Sequence, residues 1–325
     1  MYNSIKLDKG LYNLSGKTFT EALCEMDPDT NYADTELAGL DAYERQLKRF
    51  DIKVSGEGSD TVEKFFLSTE SAILFPEFVK RAIKAGMNSS ALSEIVAAKT
   101  KTNSADCRGI SIVTEENKPY STVTSEGNAL PETAIKLSSS LVTMSKFGRS
   151  ISTTYETIRN QRLDVLAVSL MSIGAQIADA VFAQAVGVLK NGIVPDSMAG
   201  TEFNYAELAK FWGKFGSYDM TTIIAKPETM AKILSFEQMK YADGNFMATG
   251  AVKTPFGATL IKSGAVDDGT IIGLDKSCAL EMINGSDIVL ETDKLISRQV
   301  ETIAVSVTTG FAKIIPEAVR VLDIE

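Results

Sequence analysis

From Leu163 to Leu189 the apolar residues Leu163, Leu166, Leu170, Ile173, Ile177, Val181, Phe182, Ala185 and Leu189 recur at helical spacing. Sustained over about 27 residues at 1.5 Å per residue, the pattern predicts a rod of roughly 40 Å. An element of that length sets the long dimension of the fold and needs packing partners along its course. Asp164, Gln176, Asp179 and Gln184 interrupt the run, which a lipid-exposed span tolerates poorly, so the expectation is a buried helix and no membrane partner.

The elements around the rod read as α+β with no internal repeat. Residues 1–60 are polar and rich in Asp and Gly, with one helix expected in a loose arm: Asp34 as N-cap, then Leu37, Leu40, Tyr43, Leu47 and Phe50 at helical spacing. Ile52 to Asp60 (IKVSGEGSD) has the composition of a linker. Pro76 is placed in the first turn of a second helix ended by Gly86. From Arg108 to Ile151 β-branched stretches separated by polar turns predict a long hairpin. Beyond the rod, Asn204 is expected to cap a helix with Leu208, Phe211, Trp212 and Phe215 in the core. MTTIIA reads as a buried strand, Pro227 as the start of another helix, and GATLIKS, GTIIGLD, DIVLE and ETIAVSV as strands.

Catalytic chemistry is poorly supported. The chain of 325 residues has no histidine, which removes Ser-His-Asp and Cys-His arrangements and imidazole-ligated metals. Cys24, Cys107 and Cys278 lie far apart with no C-x-x-C spacing, and read as reduced residues of a cytosolic protein. SGKT at Ser15 to Thr18 lacks the glycine spacing and preceding strand of a phosphate loop, and SGEGSD lacks the third glycine of a dinucleotide fingerprint. Neither DPDTNYAD nor VDDGT meets the calcium-loop pattern. No catalytic residue, cofactor or metal ligand is therefore assigned. The net charge of −9 opposes tight binding to polyphosphate and allows only weak, salt-sensitive contacts with DNA.

Read in order, TVTSEGNALPETAIKLSSSLVTMSKFGRSISTTYETI, the long apolar helix, NYAELAKFW, TTIIAKPETMAKI, the TPFGATLIKSGAVDDGTIIGLDKSCALEM module and GFAKIIPEAVRVL resemble the major capsid proteins of tailed bacteriophages. The resemblance covers roughly residues 60–325 and implies the Hong Kong 97-type capsid fold. That fold has an N-terminal arm, an extended E-loop hairpin, a P-domain with a long spine helix, and an A-domain. Mapped onto this chain, it implies an N-terminal extension over 1–60, the N-arm and short helices over 61–107, and the E-loop over 108–151. The P-domain falls at 152–203 and 291–314, and the A-domain at 204–290 and 315–325.

The resemblance implies a non-enzymatic protein that self-assembles into hexamers and pentamers of an icosahedral shell enclosing phage DNA, in the virion, after assembly in the bacterial cytoplasm. Its implied partners are other copies of itself, a separate scaffolding protein, a portal and a decoration protein. A hairpin of this length is marginal in water alone and is expected to lie on a neighbouring subunit. Glu115, Glu116, Lys118, Glu126, Glu132 and Lys136 are the expected contact residues. Some family members weld their shells with a lysine–asparagine isopeptide bond promoted by a glutamate; the corresponding positions here are Leu130, Gln299 and Ser306, so no covalent cross-link is expected. Encapsulin-like nanocompartments share the fold and remain an alternative, as does a carboxylate-based enzyme.

Overall fold

The computed structural model describes residues 5–14, 16–104, 107–112, 126–127, 135–138, 141–242, 252–295 and 300–324. Helices α1 (Phe19–Met26) and α2 (Ala42–Arg49) each begin at a capping box, Thr18 with Glu21 and Asp41 with Glu44. The cap expected at Asp34 is replaced by Asp41. Gly39 adopts φ +81°, a left-handed turn, so the helix cannot start before it. After α3 (Thr69–Ala72), α4 (Phe75–Asn88) carries Pro76 in its first turn as expected, but it runs two residues past Gly86.

Strands β1 (Ala98–Lys101), β2 (Ile110–Ile112), β3 (Ile135–Leu137) and β4 (Ser145–Thr154) follow, then α5 (Tyr155–Asn160) and α6 (Leu163–Lys190). The predicted rod is α6, found within one residue of its expected end. Next come β5 (Asp196–Ser197), α7 (Tyr205–Gly213) capped by Asn204, β6 (Thr222–Ala225) and α8 (Pro227–Leu234). The chain closes with β7 (Thr259–Lys262), β8 (Thr270–Leu274), β9 (Leu280–Leu295), β10 (Val300–Lys313) and β11 (Val319–Asp323). DIVLE is thus the middle of a strand of 16 residues, and the Thr302 to Thr308 alternation part of one of 14. Asn284 looks like a break in isolation, yet β1 pairs in parallel along Glu281 to Asn284 and supplies backbone partners there.

One sheet has the order β1-β9-β10-β4 and another β5-β11-β8-β6-β7, while β2 and β3 form a separate two-stranded ribbon. The chain divides into two compact units: Met1–Ser89, Gly148–Ala178 and Ile288–Ser306 in the first, Ser90–Phe147, Asp179–Asp287 and Val307–Glu325 in the second.

In the first unit, Leu23, Phe65, Leu74, Ile83, Leu163 and Leu170 are fully buried. The N-terminal region is a packed body where a loose arm was expected. Arg45 is 1% exposed; its guanidinium donates to the carboxylates of Asp27 (2.8 Å) and Asp29 (2.9 Å) and to the carbonyls of Asp27 and Leu40, and it lies over the Tyr32 ring. A five-donor fork with this many acceptors satisfies the demands of a buried charge. The linker expected over Ile52 to Asp60 is also structured: Lys53 N donates to Asp60 Oδ2 and Asp60 N to the Lys53 carbonyl, both 2.8 Å, and the Asp60 carbonyl accepts from the Leu163 amide at the start of α6.

In the second unit, the five-stranded sheet packs Ile223, Ile271 and Leu322 against Leu208, Phe211 and Phe215 from α7 and its C-terminal turn. Trp212, expected in this core, is 45% exposed. Leu208, Phe211 and Phe215 follow i, i+3, i+7 on one face, and Trp212 stands about 100° further round the helix than Phe211.

Candidate assembly surfaces

The buried carboxylates are committed to structural hydrogen bonds. Glu207 accepts from Lys210 Nζ (2.7 Å) and the Ala199 amide (3.0 Å), and these donors, the lysine first, hold its carboxyl below the usual range. Burial pushes Asp275 upward, but donation from Ser277 Oγ (2.6 Å), the Ser277 amide and the Asp219 amide (3.1 Å) outweighs it and leaves the group lowered. Groups held this way stay ionised at neutral pH and lack the raised pKa of a general acid. Burial raises the Cys278 thiol, which disfavours the nucleophilic thiolate. Among the described residues no three Cys, Asp or Glu side chains cluster to hold a metal.

What the surface does present is unpartnered apolar area. In the β2–β3 ribbon Ile110 pairs with Leu137, Ser111 with Lys136 and Ile112 with Ile135. Its root is anchored by backbone bonds from Ser138 to Gly109 and from Val142 to Cys107, both 2.8 Å. Yet Ile135 and Leu137 are each 67% exposed, and Ile110 and Leu141 are also open. A two-stranded pairing with Ile110, Ile135 and Leu137 in water has little to hold it within one subunit.

Of the expected contact residues, Glu126 is exposed in a turn with Gly127, and Lys136 occupies the register position opposite Ser111. Glu115, Glu116, Lys118 and Glu132 lie outside the described residues. The apolar positions Ile110, Ile135 and Leu137 were not singled out from the sequence, although the alternation of apolar residues within RGISIV and TAIKL, with β-branched Ile110 and Ile135, was the available signal.

The first unit offers a second apolar surface. Along α6, Val165, Val168 and Met171 point to solvent, because the helix is apolar nearly all round while one stripe faces the core. Beside them lies a cleft of about 210 Å³ lined by Val79, Ile151, Ile158, Leu166, Leu170 and Ile303, with Thr153, Thr157, Gln161 and Ser169 at the polar positions. In the second unit a row of aromatic rings ends at the exposed Trp212. Phe203–Phe236, Phe236–Tyr205, Tyr205–Phe256 and Phe256–Trp212 have centroids 5.4, 6.4, 6.3 and 5.9 Å apart. Open apolar and aromatic surface of this kind marks contact with other protein.

Comparison with known proteins agrees with a contact-building role. The profile of a family described as phage capsid protein matches residues 137–321. The fold is similar to a virus-like particle from Pyrococcus furiosus, at 15% identity and a TM-score of 0.51, covering 76% of this chain and 98% of that one. It is also similar to the capsid of an empty GTA particle, at 13% identity and a TM-score of 0.55, covering 72% of this chain and 89% of that one. No curated protein sequence matches the chain.

Proposed function

Because this chain belongs to the phage capsid protein family, we propose that its copies build hexamers and pentamers of an icosahedral shell around double-stranded DNA, held by non-covalent contacts. It is a structural protein of the virion capsid, not an enzyme. Assembly takes place in the bacterial cytoplasm, residues 108–151 serve as the E-loop, 152–203 and 291–314 as the P-domain, and 204–290 with 315–325 as the A-domain. A separate scaffolding protein directs closure, and a portal and a decoration protein complete the particle. With a net charge of −9, the subunit meets DNA through few, salt-sensitive contacts.

The observation that carries this reading is the β2–β3 ribbon, whose Ile135 and Leu137 are open to water in the single subunit. A second copy is the occupant that a closed, heterologous ring supplies to every such surface at once. Contacts of this size are individually weak, and their multiplicity gives the shell its stability.

The test is a double substitution, Ile135→Lys with Leu137→Lys. Both side chains are already exposed, so the subunit should keep its circular dichroism and solubility. Closed particles, expected for the wild type in negative-stain micrographs, should be lost. Complete particles from the variant would rule out the ribbon as the clasp between copies. Nuclease-protected DNA in native particles supports the phage shell; DNA-free particles with an enzyme cargo would replace it with the encapsulin-like alternative.

A further inference from the structure

The first turn of α6 takes its backbone partners from a segment about a hundred residues earlier in the chain. The Leu163 amide donates to the Asp60 carbonyl (2.9 Å) and the Asp164 amide to Ser59 Oγ (3.1 Å). Val165 donates to the Asp164 carboxylate (2.8 Å) and Leu166 to the Arg162 carbonyl (3.0 Å), so each of the first four amides is satisfied. The Val62 amide donates to the Gln161 carbonyl (2.9 Å) and Arg162 Nη2 to the Gly56 carbonyl (3.3 Å), which extends the seam on both sides.

The capping turn is itself held from its N-terminal side. Lys53 and Asp60 exchange hydrogen bonds, Lys53 N to Asp60 Oδ2 and Asp60 N to Lys53 O, both 2.8 Å. Upstream of Lys53 the chain is fixed to the α3–α4 region by polar contacts that reach into it. Tyr12 Oη donates to the Ile73 carbonyl (2.7 Å), Thr20 Oγ1 to Glu77 (2.7 Å), and Arg81 to both Asp41 (2.6 Å) and Glu77 (3.0 Å). Arg81 also lies 4.3 Å over the Tyr43 ring, and Arg49 reaches Glu70. Glu77 is buried, and its Oε1 accepts from both Thr20 and Arg81, so pulling the N-terminal body away would remove the threonine donor from a buried carboxylate and leave it to Arg81 alone.

We infer that residues 5–60 are a built-in brace: they cap α6 from a distance, stay closed on the first unit, and are not a detachable arm or an internal scaffold. The inference concerns the free subunit and stands whether or not the shell assignment above holds. It places direction of shell closure outside this N-terminal body, because a segment bonded to α3, α4 and the start of α6 through Tyr12, Thr20, Asp41, Arg49 and Asp60 is not free to swing out as a tether.

The experiment cuts the chain inside the turn. A specific protease site inserted between Glu57 and Gly58, both exposed, severs residues 1–57 in the unassembled subunit. The two fragments should co-elute in native size exclusion and separate only in detergent, and the amides of Leu163 to Val165 should keep their slow hydrogen exchange. Release of the N-terminal fragment in native buffer overturns the inference, whether the remainder stays soluble or not. In the uncut chain, Ser59→Ala should speed exchange at the Asp164 amide by about tenfold, as expected for loss of a side-chain cap, while α4 amides stay unchanged. Unchanged exchange at Asp164 would remove Ser59 as a cap of α6.

Discussion

Gly86 of α4 and Gly174 of α6 face one another's helices at backbone contact. A Cβ on Gly86 would stand 2.0 Å from the Met171 carbonyl oxygen, and one on Gly174 would stand 2.1 Å from that of Ile83. Each glycine therefore admits the main chain of the opposite helix, and together they set how closely α4 can approach α6. The backbone, not a flexible side chain, is the obstacle in both cases, so no rotamer change relieves the clash.

Gly174→Ala should therefore separate the helices and lower the stability of the first unit by about 1–3 kcal/mol, the usual penalty for overpacking. Gly187 provides the control on the same helix, because its Cβ would meet nothing within 4 Å. There alanine should be neutral or stabilising by up to about 1 kcal/mol through helix propensity. Thermal melts of the two variants should move in opposite directions or differ by several degrees; equal shifts would show that the crossing is not tight.

This pair also shows where the sequence was readable. The α6 rod was legible because a period of 3.6 held for 27 residues is information local to the helix. Gly86 was read as a terminator, since a glycine near the end of an apolar pattern carries that meaning until the opposite helix is in view. The Ser59–Asp60 cap of α6 lies about a hundred residues from the amides it serves, and composition could report it only as a linker. Likewise, the hairpin was visible from its β-branched stretches, but the exposure of Ile135 and Leu137 depends on what the rest of the fold leaves uncovered.

Arg45 gives the second prediction. It is buried with Asp27 under Tyr32, whose O–H also donates to Asp27 at 2.7 Å. Arg45→Met leaves Asp27 without its cation and should cost about 3–5 kcal/mol in urea unfolding of the free subunit. Arg45→Lys keeps the charge but loses the planar fork that spans two carboxylates and two carbonyls, and should fall between the two. A lysine variant as stable as the wild type would mean that charge alone is required.

Asp164 supplies a pH dependence. Its carboxyl is held below the usual range chiefly by the Arg162 guanidinium (2.7 and 3.1 Å), with donation from the Val165 amide adding to it. A folded-state pKa below the unfolded one stabilises at neutral pH, and the contribution disappears as pH falls through the carboxylate range. The gap in melting temperature between the wild type and Asp164→Asn should therefore narrow from about pH 5 to about pH 3. A gap that stays constant over that interval would show that the carboxylate's charge does not stabilise the start of α6.

The last prediction concerns how the shell is held. An isopeptide weld needs an amine to attack, a carboxamide to be attacked and a carboxylate to take up the proton. At the corresponding positions stand Leu130, Gln299 and Ser306. Leu130 and Gln299 lie outside the described residues, while Ser306 is half-buried within β10. Gln299 retains a carboxamide, but leucine offers no nucleophile and a serine hydroxyl is far too weak a base to replace a carboxylate. Purified particles boiled in reducing detergent should therefore run as one band near 35.1 kDa. Because non-covalent contacts obey mass action, the denaturant midpoint for disassembly should also rise with subunit concentration. A ladder of multimers that survives boiling and reduction would show that another lysine and another carboxylate perform the weld.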